Sequence, residues 1–380
     1  MREEGRISAF EAMVYQISIV LATAVFFVPG TMAMKARQDA WLSGILACLF
    51  GFLVAVVAAK LALRFPQQTV VEYAPRLLGS FLGKLVGFVY VFYFFYGGYY
   101  VIRQFGELMA TSYYPHTPLI VFTIILTLLA CYVIYLGIEV LCRVILIWGA
   151  FAPIFFVLLL LLVKDIELSH FLPVLENGIS PVLVGAIAPG AWFGQTAVVL
   201  VLLPFISDKR RAVRTSLAAV FGLFVLVEIV LIAAVGVVGA ETVARLLFPL
   251  FTLFRRIHLE TLPVLDRQDA IFMMMWVGGM LLNLATFFHA GMVGLGQWLG
   301  LKSHRPLIFP VGALLVALAI QSWGSIVSLD AFSIEVFPLS TILVNLVLTA
   351  FLFLVAVMRG MRDGPLAGGG KRAPALNKKA

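Results

Sequence analysis

The sequence predicts an all-α integral membrane protein with ten transmembrane helices, arranged as two inverted repeats of five. Three observations predict this fold class: the composition, the long apolar runs and the distribution of basic residues. Of the 380 residues, 62% are hydrophobic and 12% are charged, against about 45–50% and about 25% in soluble domains. Ten helices of about 20 apolar residues each fill the chain, so we expect no appended soluble catalytic domain.

Ten apolar runs are long enough to cross a bilayer. A helix rises about 1.5 Å per residue, so about 20 residues cross a hydrocarbon core of about 30 Å. The first run is too long for the apolar part of a cleavable signal peptide. We number the runs spans 1 to 10, with predicted bounds 8–32, 40–63, 82–110, 117–137, 143–164, 184–206, 214–238, 269–298, 306–323 and 333–357.

The basic residues predict the orientation of these spans. With the N-terminus in the cytoplasm, 19 of the 27 Lys and Arg residues fall in inner segments and 7 in outer segments, while Arg103 lies within span 3. Cytoplasmic loops of membrane proteins carry such an excess of Lys and Arg. Adding or dropping one span in the first half would destroy the asymmetry, so ten spans with both termini in the cytoplasm are favoured.

Two unusual connections indicate an internal repeat. Residues 66–81 and 241–262 are amphipathic, as in helices that lie in the headgroup plane or cap a bundle. The first connects spans 2 and 3 and the second connects spans 7 and 8, which are equivalent positions in two inverted repeats. We therefore expect one domain over residues 1–360, with repeat one at about 8–164 and repeat two at about 184–357. Residues 361–380 are predicted to be a basic, disordered cytoplasmic tail.

Enzymatic and nucleic-acid-binding functions are disfavoured by the residues present. The sequence has no glycine-rich phosphate loop, no His or Cys pair at metal-ligand spacing and no nucleophile elbow. We therefore expect no catalytic residue, no metal and no cofactor. The net charge of +8 comes from short loops between apolar runs, which is typical of topology signals rather than of a nucleic-acid surface.

Two spans carry interruptions at corresponding positions of the two halves. Span 1 contains Ala22–Ala24 in its middle, and span 6 contains Pro189–Gly194. Paired breaks point to a midplane site, where freed N–H groups face an anion and freed carbonyls face a cation. The alternative is that these residues only kink packed helices. The residues expected to offer backbone to a ligand are Ala22, Thr23, Ala24, Gly190 and Gly194.

Aromatic side chains near the interruptions are candidate ligand contacts. Trp192, Phe193 and Phe287 would form an apolar wall that favours an amino acid with an apolar side chain. In span 3, Tyr96 belongs to a row of tyrosines at helical spacing and could present its hydroxyl inward. Such rings more often pack against other helices or lie in the interfacial belt.

Polar groups inside the spans are stronger evidence for a functional site than aromatic rings are, because each polar group is costly in hydrocarbon unless it is paired or solvated. Asn283 and Thr286 share a face of span 8, as expected of residues that line a cavity or tie helices together. Arg103 and Glu107 are four residues apart in span 3, so they can form an ion pair near the outer interface or a gate. For Glu228 in span 7 we expect a partner on a neighbouring helix.

The ordered motifs of the chain resemble those of the B subunits of spore germination receptors, the spore permease family. This family belongs to the amino acid–polyamine–organocation transporter superfamily. The motifs extend over about 300 residues and are Gln38–Leu42, Arg64–Pro66 with Val71-Glu72, Arg103–Glu107, Thr117-Pro118, Leu172–Gly178, Leu203–Phe205 and Asp266–Ala270.

This resemblance implies a ten-helix fold like that of the leucine transporter. It also implies residence in the inner membrane of a bacterial endospore, and assembly with an A-type membrane subunit and a C-type lipoprotein. The B subunit is regarded as the component that binds a small-molecule nutrient, so the bilayer, the two subunits and the nutrient are the expected partners.

Three departures from the family pattern affect these expectations. Ala22-Thr23-Ala24 stands where family members commonly have Gly-Thr-Gly, and alanine unwinds a helix less readily than glycine. Asp266-Arg267 replaces the common Glu-Arg before span 8. Span 5 has no Lys in its middle, which argues against the proton-coupled uptake of some relatives.

Three functions remain open from the sequence. The favoured hypothesis is a sensor that closes around a small nutrient, with an amino acid as the expected ligand, and signals to partner subunits. The second is an amino acid permease that carries its substrate across the membrane. The third is a membrane scaffold that binds no ligand. Sensor and permease would use the same broken-helix site, so the sequence does not separate them.

Overall fold

The computed structural model describes residues 5–246, 248–256 and 268–363. These residues are almost entirely helical, and seven helical stretches are long and apolar enough to cross a membrane. The first stretch, Ala9–Arg64, consists of two helices, Ala9–Ala36 and Ala40–Arg64. There are also two shorter apolar helices, Leu119–Tyr135 and Arg305–Gln321. Together these helices are consistent with ten spans.

The observed spans match the predicted ones apart from their exact ends and local irregularities. Spans 3 and 10 each contain a π-helical turn, span 5 is interrupted, and span 6 is built of short segments. The observed bounds are Ala9–Ala36, Ala40–Arg64, Ser80–Leu108 with Met109–Tyr113, Leu119–Tyr135, Ile138–Gly149 with Ala152–Leu160, Ser180–Gly185 through Leu203–Phe205, Ala212–Val238, Gln268–Trp298, Ile308–Gln321, and Ile326–Ile342 through Thr349–Met358.

Consecutive spans run in opposite directions between two faces of the bundle. We call the face where span 1 begins the N-face and the other the far face. At the N-face, Ile7 forms an isolated parallel β-bridge with Ile206 at the end of span 6. The Asp363 N–H donates to the Arg64 carbonyl at 2.8 Å, so the end of span 10 lies beside the end of span 2. Residues 364–380, where a disordered tail is predicted, lie outside the described residues.

The two amphipathic connections form helices, as predicted. Val70–Leu78 lies on the N-face between spans 2 and 3. On the far face, Ala240–Arg245 and Pro249–Arg256 follow span 7. The helix Pro249–Arg256 buries Leu250, Phe251, Leu253 and Phe254. The rest of this connection, residues 257–262, and the Asp266-Arg267 motif lie outside the described residues.

Packing between spans follows the symmetry of inverted repeats. Span 1 packs on span 7, and its counterpart span 6 packs on span 2. The pairs formed by spans 2 and 7, spans 3 and 8, and spans 4 and 9 each join equivalent members of the two halves. This arrangement places spans 1, 6, 3, 8 and 10 around the middle of the bundle.

Span 6 is broken, as predicted, but the break lies just beyond the predicted interruption, because Pro189–Gly194 is part of an α-helix. The α-helix Ile187–Gly194 gives way to a 3₁₀ segment, Gln195–Val198, before the short helix Val199–Leu202. A 3₁₀ segment within a membrane helix often marks a functional hinge or strain.

The predicted break in span 1 is wrong. The α-helix Ala9–Ala36 is continuous through Ala22, Thr23 and Ala24. Alanine stabilises a helix by about 1 kcal/mol relative to glycine, and the Thr23 hydroxyl donates back to the Val20 carbonyl at 3.0 Å, within the same helix. The backbone of these three residues is therefore engaged in the helix instead of being free for a ligand.

Glycine permits close contact between spans 3 and 8, which leads to a first prediction. A Cβ at Gly97 would lie 2.3 Å from Phe287 Cε1, whereas a Cβ at Gly98 would lie 3.7 Å from Leu284 Cδ1. Gly97→Ala is expected to lower the free energy of unfolding by about 1–3 kcal/mol through overpacking. Gly98→Ala is the matched control and is expected to be neutral or to stabilise by up to about 1 kcal/mol. Denaturant unfolding of the purified protein measures both, and equal losses would contradict the contact.

Candidate functional site

Spans 1 and 6 meet through a hydrogen bond between two of the predicted site residues. The Trp192 indole N–H donates to the Thr23 hydroxyl oxygen at 3.3 Å, and both side chains are buried. The Trp192 ring lies 5.0 Å from the ring of Phe337 in span 10. The structure therefore brings Thr23 and Trp192 together and adds span 10, which the sequence did not assign to the site.

Span 8 lies antiparallel to span 1 and contacts it at two levels. The Trp276 indole N–H donates to the Ala22 carbonyl at 3.2 Å. Nearer the N-face, the Tyr15 hydroxyl donates to the Thr286 carbonyl at 2.8 Å and lies 3.1 Å from His289 Nδ1. Because the single phenolic proton goes to the carbonyl, the contact fits a His289 Nδ1–H that donates to the tyrosine oxygen. His289 is thus a hydrogen-bonded residue of the contact between spans 1 and 8.

Two buried amides at this junction have no hydrogen-bond partner among the described residues. They are Asn283 in span 8 and Gln195 in the 3₁₀ segment of span 6, and both the nitrogen and the oxygen of each are unsatisfied. Most buried polar side chains are hydrogen-bonded, since an unmet group costs about 1–3 kcal/mol. Asn283 was predicted as a site residue, whereas Gln195 was missed although it directly follows the predicted break.

Contacts along span 1 place the two amides at the same depth. Gln195 lies three residues beyond Trp192, which contacts Thr23, in the direction of the N-face. Asn283 lies three residues before Thr286, which contacts Tyr15. Since both spans are antiparallel to span 1, both amides lie level with the two helical turns between Tyr15 and Thr23. The unsatisfied groups therefore converge on one level of the bundle.

Several predicted site residues face other spans. A Cβ at Gly190 would contact the Phe50 ring at 3.1 Å, and one at Gly194 would contact Val54 at 3.7 Å, so both glycines face span 2. Phe193 packs there too, because its Cβ lies 2.8 Å from the Cβ position of Gly51. These residues hold span 6 against span 2 in this structure.

Phe287 and Thr286 also make packing contacts. The Phe287 ring fills the space left by Gly97 and meets the Tyr93 ring edge to face at 6.5 Å. The Thr286 hydroxyl donates to the Asn283 carbonyl at 2.8 Å within span 8. The apolar wall at the candidate site is instead formed by Trp192 and Phe337.

A row of tyrosines joins span 3 to span 10. The Tyr93 oxygen accepts from Asn345 Nδ2 at 2.8 Å, and Asn345 lies in the π-helical turn Leu343–Leu348. Tyr96, a predicted contact, lies 3.2 Å from the Ser340 hydroxyl and 6.0 Å from the Phe337 ring. The four hydroxyl contacts of this tyrosine ladder are Tyr90–Thr349, Tyr93–Asn345, Tyr96–Ser340 and Tyr100–Ser333.

Arg103 and Glu107 form an ion pair that holds the end of span 9. Arg103 Nη2 lies 2.6 Å from Glu107 Oε1, and Arg103 Nη1 donates to the carbonyls of Ala319 and Ile320 at 3.1 and 2.9 Å. A cation is favourable at a helix C-terminus, where carbonyls lack partners. The predicted ion pair is present, but both side chains are buried rather than extended to the outer interface.

A polar cavity of about 640 Å³ opens on the N-face, beside the ends of spans 6 and 8. It lies beyond the layer formed by Tyr15, His289 and Phe205, whose ring lies 6.2 Å from that of His289. This layer separates the cavity from the level of Asn283. The residues of the cavity include Arg6, Glu72, Phe205, Gln297, Lys302 and His304.

Solved structures define the class of protein to which this fold belongs. The chain is similar to MhsT in complex with L-phenylalanine, with a TM-score of 0.64 and 10% identity over 93% of this chain and 99% of that one. It is also similar to Mhp1, a nucleobase-cation-symport-1 family transporter, in a closed conformation with bromovinylhydantoin bound. That match has a TM-score of 0.63 and 11% identity over 94% and 81% of the chains. The fold is that of transporters built from two inverted five-helix repeats.

Within this class, the chain belongs to the spore germination protein family, whose model matches residues 6–323. It is 28% identical over 366 residues to spore germination protein KB of Bacillus subtilis (strain 168), covering 95% of this chain and 97% of that protein. It is 21% identical over 308 residues to spore germination protein A2 of the same organism, covering 80% and 83%. The resemblance drawn from the sequence motifs is thereby confirmed.

The buried ion pair of span 3 leads to a second prediction. Arg103→Leu leaves the Glu107 carboxylate buried without its cation and two span 9 carbonyls without their donor. It is expected to lower the free energy of unfolding by about 3–5 kcal/mol. Adding Glu107→Leu should recover part of this loss, because no charge then remains buried.

An exposed pair of the same spacing provides the control. Arg143 and Glu139 are also four residues apart, at 3.5 Å, with both side chains exposed. Arg143→Leu is expected to change the unfolding free energy by only about 0.5 kcal/mol. Thermal unfolding of the four proteins measures the series, and similar losses for both single variants would contradict a structural role for Arg103.

Proposed function

We propose that the protein is the germinant-sensing B subunit of a spore germination receptor. In this function it binds a small nutrient at the junction of spans 1, 6 and 8. The observation that supports the site is the pair of unsatisfied amides, Asn283 and Gln195, level with the break in span 6. In a membrane interior such groups are retained at a cost, and a polar ligand can supply the missing hydrogen bonds.

The chemistry of the junction favours a small zwitterionic or amide-containing molecule, with an amino acid as the leading candidate. Two amides offer both donors and acceptors, which suit a carboxylate and an ammonium group. No charged side chain lies among the residues of the junction named above. Trp192 and Phe337 would favour an apolar or aromatic ligand side chain. The similar fold of MhsT in complex with L-phenylalanine agrees with this ligand class.

Signalling would follow from closure around the ligand. A nutrient shifts a conformational equilibrium only by its differential affinity for the two states. The 3₁₀ segment of span 6 and the layer of Tyr15, His289 and Phe205 are the elements placed to change with occupancy. An A-type membrane subunit and a C-type lipoprotein would receive the change, in the inner membrane of the spore.

The proposed orientation has both termini in the cytoplasm. The support is the concentration of basic residues on the N-face, in agreement with the positive-inside rule. On the far face the described basic residues are Lys35, Arg37, Lys164, Arg245, Arg255 and Arg256, whereas the N-face carries Arg6, Lys60, Arg64, Arg76, Lys84, Arg143, Lys209, Arg210, Arg211, Arg214, Lys302, Arg305, Arg359 and Arg362.

Two buried asparagines provide a third prediction that separates ligand binding from packing. Asn283→Leu removes unsatisfied groups, so the ligand-free protein should be as stable as the wild type or more stable by about 1 kcal/mol. Its stabilisation by nutrient should disappear. Asn345→Leu removes a partnered amide, so stability should fall by about 1–2 kcal/mol while stabilisation by nutrient persists.

Thermal unfolding of the purified protein with a panel of amino acids measures both effects. Gln195→Leu should behave as Asn283→Leu does. A nutrient shift that survives in both Asn283→Leu and Gln195→Leu would place the ligand elsewhere. If no nutrient stabilises the wild type, either alone or with its partner subunits, the result would support a membrane scaffold that binds no ligand.

A measurement of transport across a membrane distinguishes a sensor from an amino acid permease, which is the alternative function that the transporter fold supports. We expect radiolabelled amino acid to bind the protein in proteoliposomes without accumulating inside them. Empty liposomes and the Asn283→Leu variant are the controls for leakage and for binding. Accumulation in excess of one molecule per protein, abolished by Asn283→Leu, would favour the permease.

A further inference from the structure

Glu228 in span 7 lies against the backbone of span 2. A Cβ at Gly44 would lie 2.0 Å from Glu228 Oε2, so the carboxyl fills the space that glycine leaves. Both carboxyl oxygens are buried and have no hydrogen-bond partner among the described residues. The described residues therefore do not supply the partner on a neighbouring helix that the sequence led us to expect.

No charged group packed against span 7 neutralises this carboxyl in the described part of the chain. Span 6 has no titratable side chain between Ser180 and Phe205, and in span 2 the Cys48 thiol lies one turn from Gly44. The other titratable groups lie near the ends of the neighbouring elements or within span 1. They are Glu11, Tyr15, Lys35, Arg37, Asp39, Lys60, Arg64, Lys164, Asp165, Glu167, His170, Asp208, Lys209, Arg210, Arg211, Arg214, Glu241, Arg245, Arg255 and Arg256.

A metal ion does not fit this position. Hard cations need several oxygen ligands around them, whereas span 2 places beside Glu228 Oε2 a glycine, Gly44, which has no side chain. The described residues contain no group of three or more His, Cys, Asp and Glu side chains that could hold a metal ion. An ionised carboxylate without a partner is strongly disfavoured in this environment. A proton is the one cation that needs no further ligand.

We propose that Glu228 is a proton-binding site at the contact between spans 2 and 7. In the packed arrangement the group is a neutral carboxylic acid. Its proton leaves when the two spans separate and water reaches the oxygens. The site lies towards the far face from the level where Phe193 packs on Gly51, so separation here would open the far-face side of the bundle.

Linkage sets the direction of the pH effect. The packed arrangement binds the proton more tightly than the separated one, so loss of the proton favours separation. Raising the pH therefore weakens the contact between spans 2 and 7, and lowering it strengthens the contact. This proton site is independent of the nutrient site, and neither proposal requires the other.

Infrared spectroscopy of the full-length protein in nanodiscs tests the protonation state. At pH 7 the difference spectrum between wild type and Glu228→Gln should contain the carbonyl band of one protonated carboxylic acid. Glu241→Gln is the control, because Glu241 is an exposed acid on the far face that forms an ion pair with Arg245, and its difference spectrum should show carboxylate bands instead. Carboxylate bands from Glu228 at pH 7 would overturn the proposal.

A second measurement needs no variant at Glu228 and uses the native cysteines. The described residues include Cys48 beside the site and Cys131 in span 4, both buried. Between pH 6 and pH 9 the ratio of Cys48 to Cys131 alkylation in the wild type should rise by up to about tenfold per pH unit. In Glu228→Gln the ratio should stay constant. A constant ratio in the wild type would also overturn the proposal.

Discussion

The hydrocarbon interior of the membrane imposes one requirement on this protein: each buried polar group needs a partner within the bundle. Most of these groups have a partner. The tyrosine hydroxyls of span 3 form hydrogen bonds with polar side chains of span 10, and the Arg103 guanidinium donates to Glu107 and to the end of span 9. Among the described residues, the groups that do not meet the requirement include the side chains of Asn283, Gln195 and Glu228. The proposed ligand site and the proposed proton site lie at these three side chains.

The sequence predicted the order of the spans and a number with which the structure is consistent, because these follow from the lengths of the apolar runs. It also predicted a break in span 6 but placed it slightly too early, since Pro189–Gly194 is helical and the 3₁₀ segment begins at Gln195. It misjudged span 1, where the alanines beside Thr23 keep the helix intact. Local propensity decided that outcome, against the pattern of the family.

The individual site residues were harder to predict, because orientation depends on tertiary contacts. Phe193 and the glycines beside it face span 2, and the adjoining 3₁₀ segment advances about 120° per residue instead of about 100°. Helical periodicity therefore loses its register at this point. Phe337 and Asn345 were missed because their partners, Trp192 and Tyr93, lie more than a hundred residues away in sequence. Of the missed residues, only Gln195 had a signal that could have identified it, because it directly follows the predicted interruption Pro189–Gly194.

The tyrosine ladder has a mechanical consequence for the relative motion of spans 3 and 10. Its contacts extend from Tyr90 to Tyr100, a rise of about 15 Å along span 3. Sliding one helix past the other would break all four contacts together, so the two helices translate as a single rod. The N-face end of this rod is accessible, since Met361 and Asp363 emerge there beside Arg64. A protein that held this end would sense displacement of the membrane-buried core without contacting the nutrient.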